Sequence, residues 1–297
     1  MIIALLVVLG LCFGSFVNAL VWRLHEQERY TTILDELQIG KQTKAKLAKS
    51  ATLRAKVADL SITKGRSMCT DCGHTLAWYD LLPLFSWLAV GGRCRYCHKL
   101  ISWQYPVVEL LTAAIFVFSY AYWPQALIGQ GIFDFAVWLI ASTAFMALSV
   151  YDFRWMILPN VIVYPLMAVA FIQRLIDTVF FGAGVKALLL SFAAALIGGG
   201  VFYVLYQLSD GNWIGGGDVK IGFALGLFVG TPYLALLLLM LASMLGIIGA
   251  LPAIVFGRMK LKRNLQIPFG PCLMAACFIL VLFGAPLVLW YSRLLLG

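Results

Sequence analysis

The sequence has few charged residues. Asp, Glu, Lys and Arg make up 12% of its 297 residues, whereas about a quarter is usual for a soluble globular domain. Only 13 residues are acidic, and 62% are hydrophobic. This composition excludes a disordered chain, a collagen-like repeat and a secreted disulfide scaffold. It is typical of a polytopic membrane protein, and we predict that class.

Long apolar runs follow one another along the chain. The first, 2–22, contains no charged residue, and a membrane-spanning helix needs roughly 20 residues. The run 221–257 is too long for one crossing, and Thr231–Pro232 is a natural break within it. We therefore expect an all-α fold with about eight transmembrane helices. The remaining apolar runs are 110–133, 135–151, 155–173, 187–209 and 265–292.

One polar segment interrupts the apolar pattern. Residues 23–105 hold 13 of the 22 basic residues and 7 of the 13 acidic ones. The sequence thus predicts a first transmembrane helix over 1–22, a polar domain over 23–105 and a membrane domain over 106–297.

The basic residues also predict the orientation. With the N-terminus outside, 19 of the 22 basic residues fall in cytoplasmic segments, including the group at 258–263. Such a bias is the positive-inside signal of a membrane protein. It accounts for the net charge of +9 without a nucleic-acid partner.

The polar segment contains two Cys-x-x-Cys pairs. Four thiolates at this spacing are typical of a closed structural zinc site, and disulfides are uncommon in the cytoplasm. Disulfide chemistry and unligated cysteines stay open as alternatives. His74 and His98 follow the pairs and are weaker ligand candidates, and the other three cysteines are expected to be packing residues. The four candidate zinc ligands are Cys69, Cys72, Cys94 and Cys97.

Two aspartates are candidates for catalysis. Asp152 ends the third apolar run, and Asp218 follows three glycines and opens the sixth. Acids at a membrane edge are costly and often functional, and two paired carboxylates can share a proton and activate water. A proton-relay pair in a transporter and simple helix caps are the alternatives. Asp134 and Asp177 are expected to be structural, the latter paired with Arg174.

Several motifs together resemble the bacterial type IV prepilin peptidase family, over nearly the whole chain. Asp152 and the Gly215-x-Gly217-Asp218-Val219-Lys220 stretch match the family's catalytic aspartate motifs. The paired cysteines match its polar domain. The other matching stretches are Gly14-Ser15-Phe16-Val17-Asn18 with Arg23-Leu24, Asp80-Leu81-Leu82-Pro83, Tyr105-Pro106-Val107-Val108-Glu109 and Ile267-Pro268-Phe269-Gly270-Pro271.

The resemblance implies a bifunctional enzyme of the bacterial inner membrane. It would cleave the basic leader from prepilins and pseudopilins at the cytoplasmic face, then methylate the new N-terminus with S-adenosylmethionine. Asp152 and Asp218 would be catalytic, and Gly215, Gly217 and Lys220 would form the adjoining loop. Glu109 is a candidate for the methyl-donor site, or for an ion pair with Arg23.

The sequence departs from the family pattern at position 160 and in the segment 26–66, and two alternative functions stay open. Position 160 is Asn where the family often has Asp, and the segment 26–66 is longer than in compact members. That segment is expected to lie along the membrane surface or to form a solvated helix. The alternatives are a peptidase without methyltransferase activity and a proton-coupled transporter. The sequence does not indicate an oligomeric state.

Overall fold

The computed structural model describes residues 1–38, 44–62, 65–255 and 268–296. Over these residues the regular secondary structure is helical. Two isolated β-bridges occur, and the described residues contain no β-strand. It divides into two compact units, Met1–Val117 and Phe118–Gly297. The helices are α1 (Ile2–Gln38), α2 (Lys44–Asp59), α3 (Phe85–Ala89), α4 (Gln104–Ala121), α5 (Gln130–Trp155), α6 (Asn160–Val179), α7 (Gly184–Leu208), α8 (Gly216–Val229), α9 (Pro232–Val255) and α10 (Gly270–Leu296).

The all-α membrane fold is confirmed. Among the described residues, seven helices are long and apolar enough to cross a membrane, namely α1, α4, α5, α6, α7, α9 and α10. The eighth apolar helix, α8, has only 14 residues. It ends at Val229 and α9 begins at Pro232, so the predicted break at Thr231–Pro232 is confirmed. The chain is a multi-pass membrane protein.

Two helix boundaries differ from the sequence expectation. α1 continues to Gln38, well past the end of the first apolar run, because its polar continuation has no helix-breaking residue. The run 110–133 is not one helix. α4 ends at Ala121, and α5 starts at Gln130 after Gly129, whose φ of 52° interrupts the helical path. Hydropathy did not mark this turn, because its residues are themselves largely apolar.

Close backbone approach explains two glycines of α1, Gly10 and Gly14. A Cβ built on Gly10 would lie 2.4 Å from Ala113 Cα, and one on Gly14 would lie 2.5 Å from Glu109 Cα. α1 and α4 therefore pack backbone to backbone, as small residues permit in membrane helices.

The segment after the first apolar run folds back on α1. α2 packs against α1, Leu53 and Leu60 are buried, and Gln27 Nε2 donates to Leu60 O at 3.0 Å. The described part of 26–66 therefore forms a helix that packs on α1 through Leu53 and Leu60, while Leu47 stays exposed.

In the second unit, α8 is the enclosed helix. It packs against α6, α7, α9 and α10, and a Cβ on Gly226 would lie 2.5 Å from Ala194 O. Nine of its residues are buried. A helix surrounded on this scale needs no lipid-facing surface, so its short length is compatible with a place inside the bundle.

Candidate active site and cysteine cluster

Asp152 lies in the last helical turn of α5 and is 5% exposed. Its Oδ2 accepts a hydrogen bond from the backbone N–H of Gly270 at 3.0 Å. Gly270 is the first residue of α10, where backbone N–H groups have no partner within the helix. The start of α10 therefore holds the carboxylate at the end of α5.

Asp218 lies in the first turn of α8, directly after the three glycines, and is partly buried. Its backbone N–H donates to Gly215 O at 3.1 Å. The carboxylates of Asp152 and Asp218 are close enough to interact electrostatically. Tertiary packing thus brings together two acids that are 66 positions apart in the chain.

Leu158 packs between the two helix starts that flank these acids. It is 8% exposed. A Cβ built on Gly217 would lie 3.0 Å from Leu158 Cβ, and one on Gly270 would lie 3.3 Å from Leu158 Cδ2. Neither glycine position leaves free space for a larger side chain on the side of Leu158.

Lys220 and Gly215, both assigned to the loop, have different surroundings. Lys220 Nζ donates to Asn160 Oδ1 at 2.9 Å and lies 5.5 Å from the centre of the Tyr164 ring. It therefore links α8 to the start of α6. A Cβ on Gly215 would make only an ordinary contact, 3.6 Å from Asp218 Oδ2.

Gly270 is the site residue that sequence reasoning missed. It belongs to the 267–271 motif, whose first residue lies outside the described residues. The motif was a usable signal, because a glycine at a helix start suggests close approach of another group. A Cβ there would lie 2.8 Å from Asp152 Oδ2. The lack of a side chain at 270 is what lets the carboxylate approach.

The four candidate zinc ligands do cluster. The Sγ atoms of Cys69, Cys72, Cys94 and Cys97 all lie within 4.8 Å of one another. Each pair closes a tight turn, with Gly73 N–H donating to Cys69 O and His98 N–H donating to Cys94 O. Four convergent sulfurs fit a tetrahedral zinc ion. Within the described residues neither His74 nor His98 belongs to the cluster.

The turns use positive φ at equivalent positions. Gly73 follows the first pair with φ of 70°, and His98 follows the second with φ of 57°. Gly91 and Gly92 also have positive φ, but they precede the second pair. After the second pair, His98 therefore takes the position that Gly73 takes after the first.

The thiols of the cluster have different pKa values. Backbone N–H groups of Cys97 and Tyr96 lower the pKa of the Cys94 thiol to about 7, and the thiolate is the metal-binding form. Burial raises the pKa of the Cys69 thiol, and the pKa of the Cys97 thiol is raised to about 12. Lys99 pairs with Asp71 at 2.9 Å, and Arg95 pairs with Asp80 at 3.0 Å. The first ion pair ties the two cysteine turns together.

Glu109 is buried in α4 and does not pair with Arg23. Its Oε2 accepts the Leu84 N–H at 2.7 Å, and the Ser15 side chain lies beside the same carboxylate. The Arg23 guanidinium instead donates to three backbone carbonyls, the shortest bond being 2.9 Å to Gly65 O. The alternative of an ion pair between Glu109 and Arg23 was wrong, because the Arg23 guanidinium is bound by carbonyl oxygens of the polar segment.

Asp134 and Asp177 belong to a network at the other ends of the helices. Gln173 Nε2 donates to Asp134 Oδ1 at 2.7 Å, and Arg174 pairs with Asp177 at 3.4 Å, as expected. Arg174 also donates to the carbonyls of Leu227 and Phe228 at the end of α8. These contacts are those of structural residues.

Comparisons with known proteins agree with this organisation. Residues 8–123 match the bacterial peptidase A24 N-terminal domain, and residues 138–254 match the type IV leader peptidase family. A prepilin leader peptidase/N-methyltransferase of Vibrio cholerae is 32% identical over 76% of this chain and 84% of its own. One of Pseudomonas aeruginosa is 28% identical over 97% and 92%.

A third relative carries a different name. The type 4 prepilin-like proteins leader peptide-processing enzyme of Escherichia coli is 31% identical over 89% of this chain and 87% of its own. No solved structure matches the chain. The similarity therefore rests on sequence, and it covers both units.

Proposed function

Because the chain belongs to the type IV leader peptidase family and is a peptidase, we propose that it removes the leader from prepilins and pseudopilins with Asp152 and Asp218. The observation that carries the proposal is that these two carboxylates lie at adjoining helix ends, close enough for the charge of one to act on the other. Like charges this close do not both ionise readily, so one carboxyl keeps a proton.

The proposed cleavage uses that shared proton. The ionised carboxylate takes a proton from water, whose oxygen bonds to the scissile carbonyl carbon, while the other carboxyl protonates the carbonyl oxygen. The tetrahedral intermediate then collapses and its C–N bond breaks. The leaving amine takes the proton from the carboxyl group that had deprotonated water, and the other carboxylate takes a proton from one hydroxyl of the intermediate as the carbonyl re-forms. Gly270 N–H holds the Asp152 carboxyl in one orientation for this step.

The substrate is proposed to pass along the glycines before Asp218. An extended peptide can approach Gly215 closely, because no side chain projects from it, whereas Leu158 fills the side-chain position of Gly217. Lys220 is proposed to brace this loop through its bond to Asn160 rather than to bind substrate. A prepilin would present its cleavage site from the lipid bilayer.

The second proposed activity is N-methylation of the new N-terminus. S-adenosylmethionine would supply the methyl group: the amine nitrogen would bond to the methyl carbon as its bond to sulfur breaks, S-adenosylhomocysteine would leave, and the nitrogen would lose a proton. The four cysteines would hold a structural zinc ion, because their sulfur atoms converge and leave no position open for water. The names of relatives such as the leader peptidase/N-methyltransferase of Vibrio cholerae support this second activity.

The proposed location is the inner membrane, with the N-terminus outside and the active site at the cytoplasmic face. The division into 1–22, 23–105 and 106–297 is proposed with it. A transporter with midplane acids is less well supported, because Asp152 and Asp218 lie at helix ends.

The test is to incubate purified enzyme with a prepilin and S-adenosylmethionine and to read the product N-terminus by mass spectrometry. Asp152→Asn and Asp218→Asn should each reduce leader cleavage by about 10³-fold or more, the scale of acid–base catalysis. Asp134→Asn is the matched control and should cleave normally. Near-normal cleavage by either dyad variant contradicts the assignment.

A further inference from the structure

The first unit contains a cavity of about 330 Å³ beside α1, within the range of small-molecule sites. One wall is a stripe at helical spacing, formed by Cys12, Ser15, Phe16, Ala19 and Arg23. Such a stripe would be expected to face lipid or another helix. Here the stripe lines a cavity that is open on one side, because Cys12 and Phe16 are exposed.

The opposite wall comes from the polar segment. Ile62, Ser67, Leu81 and Pro83 line it. Leu81 and Pro83 belong to the stretch between the two cysteine pairs. The cavity therefore adjoins the elements that carry the zinc site, although no cysteine of the cluster lines it.

Two charged side chains, Arg23 and Glu109, indicate which chemical groups a ligand of this cavity should carry. Arg23 binds only carbonyl oxygens in the described part of the chain, so no carboxylate neutralises its charge there. A ligand carboxylate would complement it. Ser15 lies beside Glu109, a buried acid for which the described residues provide no cationic partner. A cationic ligand group near Ser15 would complement that acid.

The remaining wall is amphipathic. Phe16 offers an aromatic ring on which a base can stack, Leu81 and Pro83 offer apolar contact, and Ser67 offers a hydroxyl. We propose that this cavity binds a zwitterionic nucleoside with a carboxylate and a cationic sulfonium, namely S-adenosylmethionine. The inference rests on the proposed methyltransferase activity and assigns a place to its methyl donor.

Cys12 provides a direct test, because it is exposed and lines the cavity. Full-length, zinc-loaded enzyme is treated with a maleimide, and Cys12→Ser gives the background from the other thiols. Saturating S-adenosylmethionine should slow Cys12 alkylation at least fivefold. An unchanged rate overturns the proposal, and protection by lipid alone points to a lipid site instead.

A second test fills the cavity without removing a polar group. Ala19→Phe should weaken S-adenosylmethionine binding at least tenfold by isothermal titration calorimetry. Ala4→Phe, on an exposed part of the same helix, is the matched control. Normal binding by Ala19→Phe overturns the cavity assignment. If Ala19→Phe does not fold, the Cys12 measurement decides.

The tests separate this inference from the proposed function. Asp152→Asn should bind S-adenosylmethionine normally while failing to cleave. If the unaltered enzyme methylates its product, but S-adenosylmethionine does not protect Cys12 and Ala19→Phe binds it normally, then S-adenosylmethionine binds elsewhere. The proposed methyltransferase activity then stands without the cavity assignment. If the unaltered enzyme does not bind S-adenosylmethionine, both the cavity assignment and the proposed methylation fail, and the peptidase assignment is unaffected.

Discussion

Gly270→Ala is the sharpest perturbation of the proposed dyad, because it changes neither acid. The added Cβ would lie 2.8 Å from Asp152 Oδ2 and 3.3 Å from Asp152 Cγ, whereas ordinary contact begins at 3.4 Å. The carboxylate must therefore move by about 0.6 Å, or the start of α10 must move instead. Leu158 Cδ2, at 3.3 Å, limits movement on that side.

The expected effect on cleavage is large and the effect on folding is small. A displacement approaching 1 Å costs about 10²-fold in rate when reacting groups are misplaced. The hydrogen bond from Gly270 N–H to Asp152 would also be strained. Overpacking by one methyl group typically costs about 1–3 kcal/mol of stability, which a folded membrane protein can tolerate.

The assay compares single-turnover leader cleavage by Gly270→Ala and by the unaltered enzyme in the same detergent. Gly200→Ala is the control, because a Cβ on Gly200 in α7 meets nothing within 4 Å. We expect about 10²-fold slower cleavage for the first variant and a normal rate for the second. Normal cleavage by Gly270→Ala would refute the idea that this backbone contact positions Asp152.

Three further perturbations test other parts of the molecule. Gly217→Val should slow cleavage at least tenfold and leave zinc content unchanged, since its Cβ would lie 3.0 Å from Leu158; a normal rate contradicts close passage of substrate there. Cys97→Ser should lose bound metal and methylation more than cleavage, measured by metal analysis and mass spectrometry; full methylation by metal-free protein opposes this. Arg174→Leu should destabilise the second unit by about 3–5 kcal/mol, lowering its melting temperature far more than exposed Lys186→Leu.

Much of the fold was predictable from composition and spacing alone. Apolar runs long enough to span a membrane predicted the helices, because a bilayer leaves few alternatives to them. The break before Pro232 was visible because proline cannot continue a helix without strain. The turn after Ala121 carries a similar signal in Pro124 and Gly129, but hydropathy alone does not reveal it, because hydropathy reports how apolar a residue is and not where the backbone bends.

The site was predictable in its residue types and only partly in its geometry. Four cysteines in two close pairs indicated a metal site, because each pair already places two sulfurs in one turn. Asp152 and Asp218 were marked as candidates by their place at the ends of apolar runs, but sequence alone offered no reason why those ends should meet.

Tertiary structure decided the contacts between distant segments. Whether Glu109 would pair with Arg23 depended on which carbonyls lie beside that guanidinium. That Gly270 reaches Asp152 depends on where α10 starts relative to the end of α5. The sequence by itself determined the helices, the cysteine turns and the candidate acids, because these depend on local composition and spacing. Only packing decided which helix ends meet and which side chains share a charge, because those distances depend on every helix at once.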